Sequence, residues 1–191
     1  MKVLAINGSP RREGNTFLLL KTALAELERL GLQTELVSLA GLNLKGCLAC
    51  GKCKVNQDRR CAVKNDDMNP LLEKLFGCDA MLLGSPVHFA DLTPSLKALI
   101  DRSGYVALSN GGLLRRKVGA AVVAVRRAGA IHAFDSINHF FLISQMIIPG
   151  SSYWNIGIGR EIGEVNADAE GLQTMRTLGQ NMAWLLAKVG G

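Results

Sequence analysis

Lys2-Val3-Leu4-Ala5-Ile6-Asn7-Gly8-Ser9-Pro10-Arg11-Arg12-Glu13-Gly14-Asn15-Thr16 is the stretch that decides the fold. Residues 2–7 read as a short buried strand. Gly8, Ser9 and Gly14 then permit a tight turn with free backbone amides. Beyond it the period changes. Leucines at 20, 24, 27 and 30 recur at helical spacing over residues 16–30, and Gly31 stops the run. Strand, glycine turn and helix make the first unit of an α/β sheet.

The rest of the chain repeats this alternation. Further strands are expected at residues 34–39, 80–84, 118–125 and 146–149. A short helix is expected over 69–76, with Asp66 and Asp67 as capping candidates and Pro70 near its first turn. Thr93-Pro94 is a good cap and first residue for a helix running to about residue 102. Residues 131–145 look helical. Residues 169–189 form a terminal helix with Leu172, Met175, Leu178, Met182, Leu185 and Leu186 as its buried stripe. The strands are apolar throughout, so both faces of a parallel sheet are covered by helices. In such sheets ligands sit beyond the carboxyl ends of the strands, here just after positions 7, 84 and 125.

The chain has 191 residues, which suits one domain over 1–191 with a cysteine-rich loop at about 45–65. Hydrophobic residues at 48% and charged residues at 20% exclude wholesale disorder. The longest apolar stretches are too short for a bilayer, and the start lacks the pattern of a signal peptide. A cytoplasmic location is expected, with no membrane or nucleic-acid partner. Lysine and arginine number 22 against 16 acidic residues, a net +6 that hints at an anionic ligand or acidic partner. The charge is uneven: Lys45, Lys52, Lys54, Arg59, Arg60 and Lys64 face only Asp58 between positions 45 and 65.

The first loop carries the parts of an anion site at a helix start. Ser9 and Gly14 shape it, Asn15 and Thr16 present donors, and Arg11 or Arg12 can close over the ligand. This chemistry fits one terminal phosphate monoester. There is no G-x-x-x-x-G-K-[ST] and no G-x-G-x-x-G, which excludes a nucleoside-triphosphate loop and a pyrophosphate fingerprint. The plainer alternative is a strand–helix turn with solvated arginines.

Cys47, Cys50, Cys53 and Cys61 form C-x2-C-x2-C-x7-C. Three cysteines at spacing three wrap a peptide around one face of a cuboidal 4Fe–4S cluster, as in the bacterial ferredoxin run, and Gly46 and Gly51 allow that wrapping. Basic neighbours offset the cluster's negative charge and favour thiolates. Free thiols and a zinc site are the competing readings, and a redox disulfide between Cys50 and Cys53 is geometrically open. Cys78 reads as an inert core thiol, and His132 and His139 as structural.

The motifs together resemble one family. G-S-P-R-x-x-G-N-T from Gly8, G-S-P-V-H-F from Gly84, L-K-x-x-x-D-R from Leu96, Tyr153-Trp154-Asn155 and Asp168-x-Glu170-Gly171 resemble the flavodoxin-like NADPH-dependent FMN reductases, in their iron–sulfur flavoprotein branch. The resemblance implies a three-layer flavodoxin-like sandwich with strand order 2-1-3-4-5, and FMN as cofactor. It implies that Pro86, Val87, His88 and Phe89 pack against the isoalloxazine ring, with His88 where many relatives have tyrosine. It also implies that Arg126, Arg127 and Gly129 border the flavin. An arginine there stabilises the anionic reduced flavin or meets the phosphate of a nicotinamide cofactor; the alternative is a loop of solvated arginines.

The function that follows is an FMN-dependent oxidoreductase. It passes electrons between an acidic ferredoxin-like donor, a 4Fe–4S cluster and FMN, with no catalytic side chain required. Two alternatives stay open: a clusterless NAD(P)H-dependent FMN or quinone reductase, and a non-enzymatic flavin carrier or thiol redox sensor. The resemblance further implies a homodimer or homotetramer. The aromatic segment from Phe140-Phe141 through Trp154 is either part of that interface or part of the core.

Overall fold

The computed structural model describes residues 1–189. Five parallel strands lie in the order β2-β1-β3-β4-β5, as expected of a flavodoxin-like sheet. In chain order the elements are β1 (Lys2–Asn7), α1 (Asn15–Arg29), β2 (Gln33–Ser38), α2 (Lys52–Asn56), α3 (Met68–Gly77), β3 (Ala80–Pro86), α4 (Pro94–Ser109), β4 (Val118–Val125), α5 (Ala130–Ile143), β5 (Ile156–Ile158) and α6 (Ala169–Val189). A 3₁₀ turn, Glu164–Ala167, precedes α6.

Strand alternation divides the core into two layers. Val3, Ala5, Ala80, Leu82, Val118, Ala120 and Val122 face α1 and α6. Leu4, Ile6, Met81, Leu83 and Ala121 face α3, α4 and α5. Every residue of β4 is buried, which is why that strand reads as a continuous apolar run with no polar face. Of the stripe expected on α6, Met175, Leu178, Met182 and Leu186 are buried, while Leu172 and Leu185 pack partly exposed at its flanks.

Three expectations change. The edge strand is not at 146–149. Ile147 makes a single parallel bridge to Val118, and the fifth strand proper is Ile156–Ile158, paired with Val123, Ala124 and Val125. The edge of the sheet is thus split between two short segments, and three residues carry too little pattern to be read as a strand. Helix α4 continues past Arg102 to Ser109, because Val106 and Ala107 extend its buried face. The cysteine loop contains a short helix, α2, none of whose residues is buried. Phe140 and Phe141 belong to the core, whereas Tyr153 and Trp154 are exposed and meet edge to face at 4.7 Å. Among the described residues no helix is long and apolar enough to cross a membrane.

Candidate functional site: a flavin cleft and a cysteine cavity

The chain reverses its strand order between β1 and β3, and a cleft opens at their carboxyl ends. Ser9, Pro10, Arg11, Asn15, Thr16, Pro86, Val87, His88, Ala124, Arg126, Gly159 and Arg160 line it. Four segments far apart in sequence therefore converge, three of them where the motifs indicated and the fourth, Gly159 and Arg160, just after the edge strand. Among the described residues no carboxylate lines the cleft, while Arg11, Arg126 and Arg160 do.

Buried Asn7 builds the first wall. Its Oδ1 accepts from the Ser9 amide at 3.1 Å and its Nδ2 donates to the Arg12 carbonyl at 3.0 Å. Ser9 Oγ accepts from the Arg11 amide at 3.1 Å. Gly14 precedes helix α1 as its cap residue and, lacking a side chain, makes no side-chain cap bond. The first-turn amides of the helix are left for a ligand, at the positive end of the helix dipole. Buried Thr16 adds a second unfilled position, since its Oγ1 has no hydrogen-bond partner. Both features fit the phosphate of FMN. Asn15 is committed elsewhere: its Nδ2 donates to the Glu161 carbonyl and its Oδ1 accepts from the Gly163 amide, each at 2.9 Å. It pins the loop that carries Gly159 and Arg160 against the cleft.

The second wall is a tight turn. His88 and Asp91 exchange backbone hydrogen bonds at 2.8 and 3.0 Å, and Phe89 and Ala90 between them have φ of 47° and 67°. Phe89 is fully exposed and is not among the residues that line the cleft. His88 lines the cleft with Pro86 and Val87. Asp91 Oδ2 lies 3.6 Å from His132 Nε2. Burial tends to raise the Asp91 carboxyl pKa, but the Leu92 amide, Ser136 and His132 outweigh it and hold it below its ordinary value.

Gly14, Phe89, Arg127 and Gly129 lie outside the cleft lining. Gly14 is the α1 cap residue. Gly129 caps α5 at φ 86° and packs under the turn; a Cβ there would meet Ala90 Cα at 2.9 Å. Sequence reading missed Asn7, Gly159 and Arg160. The last two follow the edge strand, whose misplacement hid them.

A second cavity brings all four loop cysteines together. Cys47, Cys50, Cys53 and Cys61 line it with Arg102, Tyr105, Val106 and Ser109 of α4. Ala49, Gly51, Gln57 and Arg59 have positive φ, so the loop winds tightly around its own cysteines. The sulfurs carry polar contacts: the Ala49 amide donates to Cys47 Sγ at 3.4 Å, and Arg102 Nε donates to Cys61 Sγ at 3.3 Å. Cys53 Sγ lies 3.8 Å from Ser109 Oγ. Among the described residues no three His, Cys, Asp or Glu side chains converge on a point that would hold a single metal ion.

Arg102 and Asp66 form an ion pair whose side chains are 1% and 0% exposed. Burial opposes both charges, yet mutual hydrogen bonding prevails: the Asp66 carboxyl is held below its ordinary pKa and the Arg102 guanidinium above. The sequence signal for Arg102 was its place in L-K-x-x-x-D-R; nothing local pointed to Asp66 as its partner. Cys78 is buried, and burial pushes its thiol up to about 11. His132 and His139 are exposed.

The two sites lie at different levels of α4. Thr93, at its start, bonds to the Gly8 carbonyl of the cleft wall, whereas Tyr105 lines the cysteine cavity. Twelve residues at 1.5 Å per residue separate them by about 18 Å along the helix.

Comparison with known proteins agrees with this architecture. The family of NADPH-dependent FMN reductases matches residues 1–161. An iron-sulfur flavoprotein of Methanocaldococcus jannaschii is 40% identical over 190 residues, covering 96% of each chain. One from Methanosarcina thermophila is 33% identical over 177 residues, covering 92% of this chain and 90% of the other. Among solved structures, the fold is similar to the NAD(P)H:quinone oxidoreductase from Methanothermobacter marburgensis, at TM-score 0.70 and 17% identity over 95% of this chain and 96% of that one. It is also similar to RosB with bound 8-demethyl-8-formylriboflavin-5′-phosphate, at TM-score 0.76 and 20% identity over 100% of this chain and 82% of that one. The chain belongs to the NADPH-dependent FMN reductase family, in its iron–sulfur flavoprotein branch.

Proposed function

We propose that this chain is an FMN-dependent oxidoreductase linked to an acidic, ferredoxin-like electron donor, with a 4Fe–4S cluster held by Cys47, Cys50, Cys53 and Cys61. The observation that carries the reading is the second cavity, which Cys47, Cys50, Cys53 and Cys61 all line. When bound, FMN supplies hydride and one-electron chemistry and the cluster one-electron chemistry.

The residues divide the work. The first-turn amides of α1, Thr16 Oγ1 and Arg11 hold the phosphate. Pro86, Val87 and His88 border the ring, and Arg126 offers positive charge to a reduced flavin. Lys45, Lys52, Lys54, Arg59, Arg60 and Lys64 are all exposed around the cysteine loop, and they attract an acidic partner by steering its approach. The separation along α4 favours a homodimer or homotetramer, in which a second copy brings its cleft towards the cysteine cavity. Exposed Tyr153 and Trp154 are available to such an interface.

The test is the rate of reduction by an acidic ferredoxin against ionic strength, in the natural chain and in K52E/K54E. The reading predicts a rate that falls with salt and falls again in the charge-reversed variant. A rate indifferent to both contradicts it. A second reading, NAD(P)H as direct donor, is favoured by the surplus arginines Arg126 and Arg160 at the cleft. Rapid anaerobic bleaching of the flavin by NADPH would support it.

A further inference from the structure

Arg102 has five N–H donors, and the structure gives every nitrogen a partner. Nε donates to Cys61 Sγ at 3.3 Å. Nη1 donates to the Lys45 carbonyl at 3.1 Å and to Asp66 Oδ2. Nη2 donates to the Val63 carbonyl at 3.2 Å and to Asp66 Oδ1 at 3.3 Å. These acceptors are not scattered. Lys45 is the stem entering the cysteine loop, and Cys61, Val63 and Asp66 form the stem leaving it. One buried guanidinium therefore fastens both ends of the loop to α4.

The loop needs such a fastening. Seven residues separate Cys53 from Cys61, enough for the fourth thiol to turn away from the other three. Helix α2 buries no residue, so the intervening segment has no apolar anchor of its own. Asn69 assists from α3, accepting from the Cys61 amide at 2.8 Å and donating to the Cys61 carbonyl at 3.0 Å. It fixes the backbone of Cys61, while among the described residues only Arg102 bonds to the sulfur. A lysine at this position keeps the charge but cannot span four acceptor residues, because its three donors leave one nitrogen.

We propose that Arg102 is the positioning residue of the cysteine loop: it turns Cys61 into the cavity shared with Cys47, Cys50 and Cys53, and its Nε–H bond to that sulfur raises the reduction potential of the cluster held there. The second half rests on the cluster reading above; the first half does not. Hydrogen bonds to ligand sulfurs are among the factors that set cluster potential, because they stabilise the more negative, reduced form. Asp66 opposes part of that effect with its own charge.

Two measurements on the full chain test the proposal with R102K. In iron-free protein, amide hydrogen exchange should accelerate at least ten-fold across residues 45–66 and stay unchanged in the strands 2–7 and 118–125. In anaerobically reconstituted protein at equal iron content, the one-electron equilibrium constant of cluster reduction should fall about ten-fold, a shift of 59 mV. Unchanged exchange overturns the positioning role. Faster exchange with an unmoved potential overturns the tuning role and leaves a purely structural clasp. If the natural chain takes up no iron, the cluster reading fails, and the exchange measurement alone still decides the positioning role. Should R102K not fold, D66N is measured instead. Its exchange should accelerate over the same residues, and unchanged exchange overturns the positioning role.

Discussion

The backbone amide of Gly8 donates to the carbonyl of Gly84 at 2.8 Å, joining the loop after β1 to the end of β3. These are the two walls of the cleft at the strand ends. Thr93 Oγ1 donates to the Gly8 carbonyl at 2.8 Å, so the same residue is held from both sides. A Cβ on Gly8 would meet Gly84 O at 2.8 Å and Leu96 Cβ at 3.0 Å. Gly84 O cannot retreat without moving its strand. G8A should therefore cost about 1–3 kcal/mol as an overpacked site, lowering Tm by roughly 2–12 °C. Flavin retention should fall with it. Thermal unfolding with flavin quantitation checks both.

Thr16 Oγ1 is buried without a partner. If it bonds a phosphate oxygen, T16V removes one hydrogen bond to a charged group and little volume. FMN affinity should fall by about 1.5–3 kcal/mol, roughly 10- to 150-fold, with the flavin-free protein no less stable. Fluorescence titration with FMN measures the first and urea unfolding of flavin-free protein the second. Equal FMN affinity in both proteins excludes the hydroxyl from the phosphate site.

Arg126 lines the cleft and Arg127 does not. R126A should lower the two-electron potential of bound flavin by about 30 mV or more, a ten-fold change in its reduction equilibrium. R127A should leave it unmoved. Potentiometric titration of the two variants separates a flavin-facing arginine from a solvated neighbour.

The Asp66 carboxyl is held below its ordinary range. Burial pushes it up, and hydrogen bonds from Arg102 and the Lys45 amide outweigh that push. Its contribution to stability is therefore complete above a carboxylate's unfolded pKa of about 3.9 and is lost as pH falls through the lower folded value. D66N leaves Arg102 buried with an uncharged partner, at a cost of about 3–5 kcal/mol at pH 7 if the pair is fully broken. The gap between natural chain and variant should narrow on acidification below about pH 4. Denaturant unfolding of iron-free protein at several pH values measures it.

Among the five cysteines, Cys78 should be the last to react. Its thiol is buried and pushed up to about 11, so iodoacetamide at pH 8 should label Cys47 and Cys50, which are exposed, and leave Cys78 unmodified in folded, iron-free protein. Mass spectrometry of the peptides reads the order.

Local chemistry was legible in the sequence and long-range pairing was not. The loop from Gly8 to Thr16 could be read because a strand, a glycine turn and a helix start specify an anion site within a few residues. The interior strands could be read because burial on both faces leaves a long apolar run, as at Val118–Val125. The edge strand Ile156–Ile158 escaped because three residues at the border of a sheet have no such signature, and Arg160 beyond it escaped with it. Arg102 and Asp66 escaped for another reason. Asp66 reads as a helix-capping candidate and Arg102 as the end of a motif, and nothing in the sequence pairs them until α4 and the cysteine loop are brought together. The same holds for Asn15: its residue type suited a phosphate contact, but its amide is spent on a loop 146 and 148 positions away.

The most direct test of the account is to purify the protein without oxygen and count flavin and iron per chain alongside its visible spectrum. FMN together with about four irons per chain and a broad absorbance beneath the flavin bands is the expected result. Bound FMN with no iron, after anaerobic purification and attempted reconstitution, would contradict the cluster at Cys47, Cys50, Cys53 and Cys61.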